Sequence, residues 1–426
     1  MHGRLAPLLL LLGLAAAWPA AAADPVHVGV ATCAGSLCHG AVSAGSDSSV
    51  QQNEYDLWRR QDAHSNAYRL LQSDAGKRIA GNLGLASATG ASQCLACHSD
   101  YVPKARRGRR FQLSDGVGCE ACHGGAEKWL GAHIAGGSHA DNLVAGLRRL
   151  EDPQVRAGVC ADCHTVDAGR GVDHRLFGAG HPPLEFELDS FIQFQPAHFR
   201  VDADYRKRKG GYSHWDNWVA GQLLIARRFL DDLAREEALA GFAPEFSLLD
   251  CNSCHHPMRP PRWTPPAHGA GPGHPRLRLA SLQMIAAALR AGSEAAAKRW
   301  DAELEVLLAA PGREPVRRAG AALRAQFDTV AVAVGGIDAT PDGVSRVRKQ
   351  LIEQARTANH GDETLSRQTY FALESLAAEL TGNAPPEPLR RALDGLFEAV
   401  DTPFDGAAFQ RALPAVDRAF TALPGA

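Results

Sequence analysis

Apolar residues follow three regimes along the chain. A block from Leu8 to Leu14 is apolar throughout. From there to about residue 256 the pattern is irregular, with many glycines and few strand-like runs. Two stretches there carry helical spacing. One runs from about Asn53 to Gln72, with Leu57, His64, Tyr68 and Leu71 on one face. The other follows Asp216 and Asn217, read as a capping pair, with Val219, Leu223, Ala226, Leu230 and Leu233 three or four apart. Beyond residue 276 the periodicity is clear. Leu282, Ile285 and Leu289 repeat at helical spacing, as do Val344, Val347 and Leu351, and Leu373, Leu376 and Leu380. Thr340 and Pro341 suit an N-cap and a first helical position, and Gly382 suits a stop. The pattern predicts a mainly α chain with little regular sheet, ending in a bundle or hairpin array of five to seven helices over residues 276–426.

Two segments punctuate this order. Residues 1–23 combine Arg4, the apolar block and the small residues Ala21-Ala22-Ala23, which reads as a secretory signal cleaved near Ala23. No later stretch is long and apolar enough for a transmembrane helix, so the expected location is periplasmic or secreted. Seven prolines lie between Pro257 and Pro275, and that stretch reads as an extended linker. The expected organisation is a signal (1–23), a first domain (24–256), a linker (257–275) and a helical domain (276–426).

Charge changes little. Lys plus Arg (45) nearly balance Asp plus Glu (47), which argues against nucleic acid or an anionic membrane as partner. Local basic runs at 104–110 and 206–209 read as solvated loops, or as partners for propionates, an acidic redox protein or an anionic substrate.

The cysteines change the picture most. All ten fall in five motifs: Cys33-Cys38-His39, Cys94-Cys97-His98, Cys119-Cys122-His123, Cys160-Cys163-His164 and Cys251-Cys254-His255. The last four read Cys-x-x-Cys-His. The first has four intervening residues and must bulge to keep both sulfurs on one porphyrin. Each pair suits thioether bonds to one haem c, with the following histidine on its iron. Structural zinc would not need a histidine after every second cysteine, and a disulfide framework would leave the recurring histidine a coincidence. Five haems are therefore expected, covalently attached. Five motifs within residues 33–255 leave too little chain for five separate cores, so the haems must supply much of the core themselves.

A six-coordinate haem needs a second axial ligand. The chain has Met1, Met258 and Met284, and Met1 leaves with the signal; eighteen histidines, less His2 and the five in the motifs, leave twelve. Bis-histidine ligation and low potentials are expected. His64 lies on the apolar face named above, His133 falls four residues after Trp129, and His181 sits in the turn-like Gly180-His181-Pro182-Pro183. These three are the named distal candidates. His27, His139, His174, His198 and His214 compete for the remaining places. His256, which follows a proximal ligand, and His268, His274 and His360 are set aside.

The run from Trp58 to Tyr68, the segment Gln93 to His98 and the segment Gly116 to Gly124 resemble the cytochrome c-554 family, over residues 27 to 256. Those are multihaem electron carriers related in haem arrangement to hydroxylamine oxidoreductase and pentahaem nitrite reductase. The resemblance implies a mostly helical haem domain with stacked and perpendicular haem pairs and largely bis-histidine ligation. It also places His64 and His133 where distal ligands are expected. This chain departs from the family's best-known member in its fifth motif, its wide first spacing and its helical C-terminal region. The reading that follows is a periplasmic electron carrier between two redox protein partners, with the C-terminal helices as a packing or docking module. The alternative is an oxidoreductase acting on a small nitrogen or sulfur compound at a five-coordinate haem, although the Cys-x-x-Cys-Lys motif of the nitrite reductases is absent.

Overall fold

The computed structural model describes residues 24–45, 50–235, 245–255, 276–310, 312–357, 362–401 and 403–423. The expected signal and linker, with Met258, His256, His268, His274 and His360, lie outside the described residues. The described chain is mainly helical. Its extended pairing is limited to three isolated bridges: His27 with Arg107, Asp167 with Val172, and Leu249 with Leu277.

Up to residue 213 the helices are short, from four residues (Val30–Cys33) to twelve (Pro153–His164). The helix expected over 53–72 is interrupted. It forms as Glu54–Gln61, stops at the extended Asp62, and resumes as a 3-10 turn (Ala63–Asn66) and a helix (Ala67–Gln72). The cause is Asp62, whose side chain accepts the His64 amide and caps a new start. The second expected helix spans His214–Ala234 and begins earlier than Asp216. Its cap is Ser213, whose Oγ accepts the Asp216 amide at 3.0 Å, and Asp216 instead places a negative charge in the first turn.

Among the described residues, seven helices follow residue 276: Ala280–Gly292, Glu294–Ala309, Arg313–Gly335, Pro341–Thr357, Glu363–Thr381, Glu387–Val400 and Gly406–Thr421. Leu282, Ile285, Leu289, Val344, Val347, Leu351, Leu373 and Leu376 are buried in one continuous core, with Leu380 at its margin. Gly382 ends its helix in the left-handed conformation (φ 62°), donating its N–H to the Ala378 carbonyl.

The 214–234 helix joins the two regions. Trp215, Trp218, Leu230 and Leu233 enter the core of the seven helices, whereas Ala220 packs with Ala157, Ala161, Phe186 and Leu188 of the first region. Polar contacts fasten the same seam. Trp215 Nε1 donates to the Ile337 carbonyl at 3.2 Å, and Gln222 Nε2 to Gln368 Oε1 at 2.8 Å. A helix that supplies core residues to both sides ties them into one packed unit.

Candidate functional site

Four motifs sit on a single helical turn, which brings the first cysteine, the second cysteine and the histidine to one face. Cys94 to His98 lie in the helix Ser92–His98, Cys119 to His123 form their own helix, and Cys160 to His164 end the helix Pro153–His164. Cys251 opens a 3-10 turn capped by the Asp250 carboxylate. The wide first motif closes differently. Cys33 ends a helix, the next residues turn outward, and the His39 amide returns to the Cys33 carbonyl at 3.2 Å. The extra residues are taken up in the loop, and the histidine still comes back to the first cysteine.

Each motif histidine faces one histidine from elsewhere in the chain. The ring centroids are 5.9 Å apart for His39 and His133, 6.3 Å for His98 and His181, 6.3 Å for His123 and His198, 5.9 Å for His164 and His64, and 6.4 Å for His255 and His174. A metal–imidazole bond of about 2 Å puts the centroids of two rings facing across one metal roughly 6 Å apart. The named candidates His64, His133 and His181 each stand in one such pair. His174 and His198, left open by sequence reasoning, complete the other two. Nothing in their local sequence marked them out.

The rings are prepared for this role. His39 Nδ1 bonds Glu54 Oε2 (3.0 Å), His64 Nδ1 bonds Asp62 Oδ1 (2.8 Å), His98 Nδ1 bonds the Ala67 carbonyl (2.9 Å), and His181 Nδ1 bonds the Pro182 carbonyl (2.8 Å). With Nδ1 donating, Nε2 is the nitrogen left to bind a metal. Burial keeps several rings neutral. His123 is pushed down to about 3, by burial first and then by His198 and Lys209. His164 falls to about 4, by burial and then by His64 and His98. Burial also lowers His98, His133 and His198. A neutral imidazole is the form that ligates.

The other histidine candidates have different partners. His27 Nδ1 bonds Asp100 (2.8 Å), His139 Nε2 bonds Glu151 (2.7 Å) and His214 Nδ1 bonds Asp189 (3.0 Å). Among the described residues, the one group of three or more metal-ligating side chains that converge is His27, Asp100 and Glu120, which contains no cysteine. These three do not read as a metal site, because Glu120 already accepts the amides of Val28 (2.8 Å), Gly29 (2.7 Å) and Ala126 (2.7 Å). Its carboxylate is a clamp that binds the third motif to the segment leading into the first. None of the ten cysteines is joined to another in a disulfide.

Sulfurs of different motifs also meet. Cys33 and Cys119 share a hydrogen bond, which lowers the Cys33 thiol and, with burial, raises Cys119. Cys97 and Cys163 do the same, lowering Cys97 to about 7 and raising Cys163. The first and third attachment sites therefore abut, as do the second and fourth. Gly116 helps to close the fourth site: at φ 77° its Cα lies so near the His64 carbonyl that a Cβ would come within 2.6 Å of that oxygen. Val117 then donates its N–H to the same carbonyl at 3.0 Å, and Trp58 Nε1 caps the Val117 carbonyl at 3.1 Å.

The fifth motif leans on the C-terminal helices. Buried Asp250 lies between Arg276 and the start of the Glu363–Thr381 helix, with Arg276 Nη1 3.9 Å from Asp362, while Asn252 bonds Glu363. An indole N–H in the first site points to what is missing from these walls. Trp129, edge-on to His133 at 5.7 Å, has a buried Nε1 without a hydrogen-bond partner among the described residues. A propionate or another acceptor on a bound group is what such a donor needs. A facing imidazole pair beside two cysteines at each motif, with an unmet donor in the first site, fits a haem there.

No helix among the described residues is long and apolar enough to cross a membrane. No curated protein and no solved structure matches the chain. Residues 33–124 do match a family model, described as cytochrome c554 and c-prime, over the first part of the stretch where the likeness was expected. That match, which contains the first three motifs and Glu120, supports a multihaem c-type cytochrome that holds haem covalently and transfers electrons.

Proposed function

We propose that the chain is a periplasmic pentahaem electron carrier in which every iron is held between two histidines. The observation that carries this reading is the set of five facing imidazole pairs, one per motif, all at 5.9–6.4 Å. Cys33/Cys38, Cys94/Cys97, Cys119/Cys122, Cys160/Cys163 and Cys251/Cys254 would hold the haems. His39, His98, His123, His164 and His255 would be the proximal ligands, with His133, His181, His198, His64 and His174 opposite them in that order. Haem bound in this way supplies a one-electron ferric/ferrous couple.

The protein's share of the work is geometric and electrostatic. It fixes the direction of His39, His64, His98 and His181 through Nδ1, favours the neutral form of His98, His123, His133, His164 and His198 by burial, and sets neighbouring attachment sites wall to wall. A second histidine opposite each motif leaves no open iron position. This favours a carrier over the alternative of small-molecule chemistry at a five-coordinate haem. The redox protein partners are a donor and an acceptor that meet exposed parts of the haem region. The C-terminal helices serve first as its structural wall and only secondarily as a docking face.

Two measurements test this reading. The mass of the mature protein should exceed that of the polypeptide by five haems; four would remove the first motif from the set. The reduced protein should not bind carbon monoxide at neutral pH, because each iron already has six ligands. Rapid uptake at one haem would restore the enzymatic alternative.

A further inference from the structure

We infer that Glu54 and Asp62 are redox-tuning residues, which hold the haems of the first and fourth motifs at lower potentials than those of the second and third. The inference rests on the axial pairs proposed above. Two of the proposed axial rings hydrogen-bond a carboxylate through Nδ1: His39 to Glu54 at 3.0 Å, and His64 to Asp62 at 2.8 Å. In the second and third sites the acceptors are backbone carbonyls, those of Ala67 for His98, Pro182 for His181 and Pro196 for His198. A carboxylate draws the Nδ1 proton more strongly than a carbonyl does. It gives the ring partial imidazolate character, makes Nε2 a stronger donor and favours ferric iron.

Both carboxylates are held in place by further hydrogen bonds. Glu54 Oε1 accepts the amides of Gln51 (3.0 Å) and Gln52 (3.1 Å), brought round by the positive φ of Gln52 (61°). This leaves Oε2 for His39. Asp62 is buried, and its Oδ1 accepts both the His64 amide and the His64 ring, while Oδ2 accepts Gln195 Nε2 at 3.0 Å. The placement has a pattern. The first and third sites abut, and so do the second and fourth. Each couple thus joins one carboxylate-held site to one carbonyl-held site.

The test is spectroelectrochemical titration of the full holoprotein, with haem content and ferric spin state checked for every variant. Asp62→Asn keeps an acceptor beside His64 but removes the charge. One of five waves should shift so that the reduced-to-oxidised ratio at fixed potential rises about tenfold, ~59 mV for one electron. Glu54→Gln should move a different single wave in the same direction. Gln195→Ala offers a variant of opposite sign: it frees Asp62 Oδ2, strengthens the carboxylate toward His64 and should lower the wave that Asp62→Asn raises. Asp62→Glu should restore most of the original value. Variants that keep five low-spin haems with every wave unmoved would overturn the tuning role while leaving the axial pairs intact. A high-spin iron in the unaltered protein would instead overturn the axial pairing.

Discussion

The two halves of this molecule solve the core problem differently. From Ala280 to Thr421 seven helices bury one continuous apolar cluster, filled by Leu, Ile, Val, Ala, Phe and Trp300. From Val30 to Phe194 the apolar clusters are small. Leu71, Ala80, Ala88 and Leu95 form one, and Ala157, Ala161, Phe186 and Leu188, with Ala220, form another. Where a core would be expected, the first half places imidazole rings and thiols instead. Its apolar clusters are too small to offset its chain entropy, and the five haems proposed above would supply the deficit. On that reading covalent haem is structural here as well as electronic.

The sharpest way to break that comparison is to withhold haem. Full-length chain made without haem attachment should lose hydrogen-exchange protection over most of residues 24–212 while Ala280–Thr421 stays protected. Equal protection in both halves would show that the first has a core of its own. The shared helix sets the next largest effect. Removing residues 276 onward strips cover from Trp215, Trp218, Leu230 and Leu233, and removes Arg276 and Glu363 from beside the fifth motif. The truncated protein should be poorly folded and hold fewer than five haems. A stable, fully loaded fragment would restore an independent docking domain.

Within the all-protein core, Leu376→Ala deletes a fully buried side chain and should cost about 2–5 kcal/mol, read by denaturant unfolding, with haem spectra unchanged. At the boundary between halves, burial first and then Asp189 hold Glu187 protonated up to about 7, against 4.5 when unfolded. A raised carboxyl keeps its proton longer in the fold, so stability should fall as pH rises from about 4.5 to 7 and then level off. The loss is roughly 3 kcal/mol, and Glu187→Gln should abolish it. At the surface, Arg390→Ala breaks exposed pairs with Glu387 and Asp394 and should change stability by less than about 0.5 kcal/mol.

The same contrast explains what was legible in the sequence. The C-terminal helices announce themselves by periodicity, since each must hide a stripe on its neighbours. The attachment motifs are equally plain, because covalent chemistry demands a fixed order of residue types. The proposed distal ligands are harder. His64 lies near a helical pattern, yet it reaches its place because Asp62 breaks that helix and caps the next turn. His198 and His174 are brought in by loops and a short helix, and each finds its partner across a gap of 75 or more positions in the sequence. No local pattern encodes such a meeting. Ser213, and not Asp216 or Asn217, caps its helix, a choice among equally capable residue types that composition alone does not make.

The central claim is that two histidines bracket the iron at each of five motifs. Spin-counted electron paramagnetic resonance of the oxidised full-length protein tests it most directly. Ring planes near perpendicular, 82–84° for the pairs at His98, His123 and His164, give strongly anisotropic low-spin signals, whereas the 9° and 31° pairs at His39 and His255 give rhombic ones. The account predicts five low-spin irons, three of the first kind and two of the second. An integrated high-spin signal from even one iron per chain would contradict it.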